Sequence, residues 1–191
     1  MTQTDGAHVA STLVEMASVL EPAVGGDWSV RAGPLAWTCS ETGVHVAQGL
    51  LKYACQLVVH ATDSYLPFEL KLRSDSSPLE VLTLIRACGR LLADALRSAD
   101  ADLRAWHYGM ADSTGFEAMA VGEILLHTYD ITRGLGLAWD PPEQLCTLVL
   151  RRLFPDAPPG DPASVLLWAT GRGDLEGHQP VTEWVWRSAV L

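Results

Sequence analysis

Positive charge is scarce in this chain. Its 191 residues carry 13 Lys and Arg against 23 Asp and Glu, a formal net charge of −10. No Lys/Arg stripe offsets that balance, so counterion release has little to work with and no nucleic-acid partner is expected. Cysteine is sparse as well. Cys39, Cys55, Cys88 and Cys146 stand far apart, form no CxxC pair and sit in or beside apolar helical patterns, which favours buried free thiols over a cysteine zinc site. Long apolar runs are missing. The longest, Val46 to Val59, contains Gln48, Lys52 and Gln56 and is too short and too polar to cross a bilayer. The opening Met-Thr-Gln-Thr-Asp-Gly-Ala-His lacks the basic stretch and apolar core of a signal peptide. These absences lead us to expect an acidic, soluble, cytoplasmic protein with no membrane partner.

Several catalytic signatures are absent too. No GxSxG elbow supports a nucleophilic serine, and no HExxH run supports a zincin-type protease. No βαβ alternation appears, and no Gly-rich loop opens a helix: Gly134-Leu-Gly136 follows one and reads as its stop. Internal repeats and low-complexity tracts do not stand out.

What remains is a 48% hydrophobic chain of single-domain length, patterned mostly at helical spacing. Val9, Leu13, Met16, Val19 and Leu20 mark a first helix over about 4–20, ended by Glu21-Pro22 and Gly25-Gly26. After an irregular link, cap chemistry at Thr38, Ser40 and Glu41 predicts a second helix to about His60. Ser77-Pro78 and Glu80 open a third, running past Leu96. Phe68–Leu72 reads as a short extended piece, and Trp106–Asp112 as a linker. A fourth helix spans Ser113 or Thr114 to Gly134, a fifth runs from Asp140-Pro-Pro142 to Leu153, and Ala163–Ala169 is a short last one. Trp184 and Trp186 alternate with Val181 and Val185 in an ambiguous strand signal. Long helices with substantial connections suggest an antiparallel bundle, an architecture that often builds metal sites from facing helices.

The fourth helix carries the chemistry. Glu123 and His127 lie four apart within a largely apolar run, close enough around the helix for both to bind one atom. Burying them unpaired is costly, so a divalent metal or a plain Glu–His hydrogen bond must account for them. His45 on the second helix would make two imidazoles and one carboxylate, with open positions typical of catalytic metal sites. Asp130 lies one turn beyond His127 and could orient a ligand imidazole or a water; a surface charge or a hydrogen bond at the helix's end is the plainer alternative. His107, between Trp106 and Tyr108, could close over the site as an acid–base group or simply pack in its loop. Trp28, Trp37, Trp139 and Trp168 read as core or loop anchors.

Leu35-Ala-Trp37-Thr-Cys-Ser-Glu-Thr-Gly-Val-His45 resembles the tryptophan-to-histidine segment of the mycothiol-dependent maleylpyruvate isomerase N-terminal domain, a family of the DinB-like metal-binding superfamily. Gly122-Glu-Ile-Leu-Leu-His-Thr-Tyr-Asp-Ile131 resembles its Glu-x-x-x-His motif, and Trp106-His107 and Gly115-Phe116 are also similar. The likeness covers about residues 5–139, and its motifs are specific only as an ordered pair. It implies an all-α fold: a DinB-like four-helix bundle over 1–139, with a short helical and irregular extension over 140–191 packed on it as one globular unit. It also implies metal ligation by His45, Glu123 and His127, with zinc favoured and nickel, cobalt, iron or manganese open, and mycothiol or another low-molecular-weight thiol as cofactor. The isomerase carries a further α/β domain that residues 140–191 do not resemble. The expectation is therefore a metal- and thiol-dependent transferase or isomerase acting on a small electrophile, with His107 and Asp130 as candidate catalytic groups and homodimerisation open. Its rivals are a non-catalytic metal- or ligand-binding module and a structural bundle with a core Glu–His pair.

Overall fold

Two capping boxes decide where two of the long helices begin. Thr38 accepts a hydrogen bond from the Glu41 amide, and the Glu41 carboxylate accepts one from the Thr38 amide at 2.8 Å, opening α2 (Cys39–Val59). Ser77 and Glu80 repeat the arrangement for α3 (Pro78–Ser98), with proline in its first turn. The computed structural model describes residues 4–189. Its other helices are α1 (Ala7–Leu20), α4 (Ser113–Gly134), α5 (Glu143–Leu153) and α6 (Pro162–Ala169). The protein is thus mostly helical. Among the described residues no helix is long and apolar enough to cross a membrane.

α2 packs on α3 and α4, and α1 packs on the same two helices from another side. α3 shows how the one-sided members of this group hold on. It buries Val81, Leu82, Ile85, Cys88, Leu92 and Leu96, a stripe at three- and four-residue spacing, and turns its arginines outward. Each such leucine or isoleucine, fully buried, stabilises the fold by about 1.5–3 kcal/mol. α4 is different. It is flanked by α1, α2 and α5, so it is buried nearly all round. Polar groups on α4 therefore need partners within the protein, from α4 itself or from the elements packed on it, or a ligand.

The C-terminal region closes over α4. α5 packs on α4 and α6 on α5. The chain then turns back, and Arg152 of α5 holds it by donating to the Ser188 carbonyl (2.7 Å) and the Arg187 carbonyl (3.0 Å). Gly122 makes room for this return. A Cβ there would stand 3.0 Å from two atoms of the Trp186 ring, a contact few real side chains tolerate.

Two sequence expectations are corrected and two are narrowed. Trp106–Asp112 is not a plain linker: β1 (Arg104–Trp106) and β2 (Met110–Asp112) form an antiparallel hairpin. Its three-residue turn needs left-handed backbone at Tyr108 (φ 51°) and positive φ at Gly109, and no Asn-Gly signal announces it. The tryptophan-bearing tail forms no strand among the described residues beyond one bridge, Ala189 to Ala111. Phe68–Leu72 has no ladder partner. Of the core and loop alternatives for Trp37, the loop one stands. Trp37 is 43% exposed, whereas Trp28 is buried as expected. Cys39, Cys88 and Cys146 are buried free thiols and Cys55 is half-buried.

Candidate metal centre and its cavity

α2 and α4 face each other where α2 has made its second turn and α4 is midway. This places His45 opposite Glu123 and His127. Glu123 Oε2 lies 3.3 Å from His127 Nε2 and 3.6 Å from His45 Nε2. One ligand atom from each residue lies within 4.8 Å of the others, and the group could hold a metal ion. Ligands about 2.0–2.2 Å from a tetrahedral cation stand roughly 3.3–3.6 Å from one another, which the two carboxylate–imidazole distances match. The carboxylate adds a second indication. Glu123 Oε2 is buried and, although both imidazoles are near, accepts no hydrogen bond from either. The ring of Trp37 rests 4.7 Å from that of His45, and the two imidazoles meet edge to face at 5.0 Å.

Behind His127 stands a fixed support. Its Nδ1 is 3.0 Å from Asp130 Oδ2. Asp130 is fully buried, which removes the surface-charge alternative. Arg172 donates to both carboxylate oxygens, from Nε at 3.0 Å and from a terminal nitrogen at 2.8 Å. This fork holds Asp130 in place, and Asp130 in turn occupies Nδ1, leaving Nε2 to face Glu123 and His45.

Charge follows from these contacts. Burial by itself would raise the Glu123 carboxyl, but the attraction of His127 and His45 outweighs it and holds the group well below the usual carboxylate range. Burial would lower His127, yet Asp130 and Glu123 overcome it and raise the imidazole to about 9. Tyr53, two turns along α2 from His45, directs its hydroxyl at Glu123 Oε1 across a long 3.4 Å. Burial first, and the Glu123 charge second, push that phenol well above its ordinary value, so it remains a hydrogen-bond donor.

Glu123 forms part of the lining of a cavity of about 940 Å³. Tyr53, His107, Tyr108, Trp184 and Trp186 line it too. His107 is therefore near the triad but not in it. Its Nδ1 is in short contact with the Tyr65 hydroxyl, and burial lowers its pKa to about 4 despite the Glu123 charge. It is a neutral imidazole at pH 7. His45, Glu123, His127 and Asp130 are thus brought into one constellation, with His107 beside the cavity.

Two members escaped the sequence reading. Tyr53 could have been found, since it lies two turns from His45 on the same amphipathic helix. Arg172 gave no local signal, because it stands in a Gly-Arg-Gly turn 42 residues from its partner Asp130. Fold and site together define a helical protein with a His/Glu/His group able to take a metal. No protein-family model, curated protein or solved structure matches the chain.

Proposed function

We propose that the protein holds a divalent metal, zinc by preference, on His45, Glu123 and His127, and that it uses this centre with a low-molecular-weight thiol such as mycothiol to transfer to, or isomerise, a small electrophile. Helices α1–α4 would then be the four-helix bundle of the DinB-like superfamily, with residues 140–191 as an extension on it. The observation that carries the reading is the bare Glu123 Oε2, buried between two imidazole Nε2 atoms and bonded to neither. A divalent cation in such a place lowers the pKa of a thiol or water that it binds, and so supplies a nucleophile at neutral pH.

The chain's own residues serve that task in distinct ways. Asp130 and Arg172 fix the ring of His127. Tyr53 directs its O–H at Glu123 Oε1, the oxygen away from the imidazoles. The cavity beside Glu123 gives a small molecule a place to lie.

One observation favours a second reading, a structural ion-pair network. A protonated His127 with Arg172 balances Glu123 and Asp130 without any metal. Metal analysis of protein purified without an affinity tag separates the two. The metal reading expects about one equivalent, lost in His45→Ala. Thiol dependence is read separately, as turnover of 1-chloro-2,4-dinitrobenzene that requires added mycothiol. Bound metal with no thiol-dependent turnover of any electrophile tried would leave a metal-binding module.

A further inference from the structure

We propose that the cavity wall formed by Trp184, Trp186 and Tyr108 is a subsite for a planar aromatic group, so that the ligand of this centre carries a metal-binding head and a flat conjugated body. The inference rests on the metal reading for the head and on independent observations for the body.

The first observation is that both indoles and Glu123 border the same cavity. Trp186 lies against Gly122, the residue directly before Glu123, and a Cβ at that position would stand 3.0 Å from its ring. Trp184 meets Trp186 edge to face at 4.9 Å, and Phe154 backs both at 6.2 and 6.0 Å. Both indoles remain only half-buried, and both line the cavity. They are braced from behind and open in front.

The second observation is the anchoring of the segment that carries them. Arg152 grips the Arg187 and Ser188 carbonyls and Asp112 together, and the Arg187 amide donates to the Leu153 carbonyl at 3.1 Å. Arg152 is thereby paired with Asp112, and Arg187 with Asp156. The charges along this side are answered by one another, and the aromatic faces are what the wall offers a ligand.

The third observation is Tyr108. It adopts left-handed backbone at φ 51°, a conformation that L side chains rarely take, in a turn where glycine would be unstrained. The strain gains no burial, because the residue is 81% exposed. What it does achieve is placement. The ring stands at the cavity, supported by Trp106 at 5.1 Å and Tyr65 at 6.3 Å. A cavity of about 940 Å³ also far exceeds what a water or a thiol head alone would fill.

Two probe pairs test this on the full chain. On zinc-loaded protein, benzohydroxamic acid should bind at least tenfold more tightly than acetohydroxamic acid, which shares its chelating head. Tyr108→Ala, at an exposed position that does not threaten folding, and Trp186→Leu should each cut that preference below threefold while acetohydroxamate affinity stays unchanged. On chelator-treated protein, saturation-transfer NMR should detect phenol and not cyclohexanol, and the phenol signal should fade in both variants. If neither hydroxamate binds but phenol does, the metal reading falls and the subsite stands. Equal hydroxamate affinities in the unaltered protein, a preference that survives both substitutions, or phenol and cyclohexanol that cannot be told apart would each overturn the subsite.

Discussion

His127 and His107 are both nearly sealed from solvent, at 8% and 6% exposure, yet they are driven in opposite directions. His127 is raised to about 9 and His107 is lowered to about 4. Burial penalises the charged form of each. The difference is company. His127 sits between two carboxylates on its own helix, Glu123 and Asp130, whereas His107 faces phenols and feels Glu123 only from a distance. The comparison teaches that depth does not decide what a buried histidine does here. Its neighbours separate an anion-rich pocket suited to a cation from an aromatic one suited to a neutral ligand.

The most severe way to break this contrast is to remove the cation that balances Asp130. Arg172→Met strands a fully buried carboxylate, and we expect a loss of about 3–5 kcal/mol in urea unfolding. A loss within about 1 kcal/mol would mean that the fork contributes no more than a surface pair does.

The pH dependence of stability sharpens the comparison, because the two histidines carry opposite signs. His107 has its folded pKa below the unfolded value, so its contribution is present above about pH 6.5 and is lost as pH falls through about 4. His127, in protein treated with a chelator, has its folded pKa above the unfolded value. Its contribution is present below about pH 6.5 and is lost as pH rises through about 9. Each arm is on the order of 3 kcal/mol. Denaturation midpoints measured from pH 4 to 10 should show both arms, with the acid arm absent in His107→Gln and the alkaline arm absent in His127→Gln.

A smaller effect is expected where only the support of a ligand is altered. Asp130→Asn keeps the shape of the side chain but removes its charge from Nδ1 of His127, and should weaken zinc binding by about 10–100-fold in calorimetry. Smallest is Gly122→Ala. The added methyl must displace the Trp186 ring, costing about 1 kcal/mol and shifting tryptophan emission.

Much of this was legible in the chain, and the failures share a cause. Thr38, Glu41, Ser77 and Glu80 announced two helix starts because a capping box is written within four consecutive residues. Glu123, His127 and Asp130 were visible as a set because helical spacing alone puts them on neighbouring turns. Arg172 and the indoles of the tail were not visible, since nothing local records a contact made after the chain has passed through α5 and α6 and turned back. The hairpin was missed for a related reason. Its turn, His107-Tyr108-Gly109, places a bulky residue in left-handed backbone, against the propensity that a turn is read by.

The central claim is that His45, Glu123 and His127 share a cation. Its most direct test is zinc K-edge X-ray absorption on tag-free protein, with total metal counted on the same sample. We expect about one zinc per chain, surrounded by two imidazoles and a carboxylate oxygen, with the signal gone in Glu123→Gln. A chain that takes up no zinc, or holds it with Glu123 replaced by glutamine, contradicts the account.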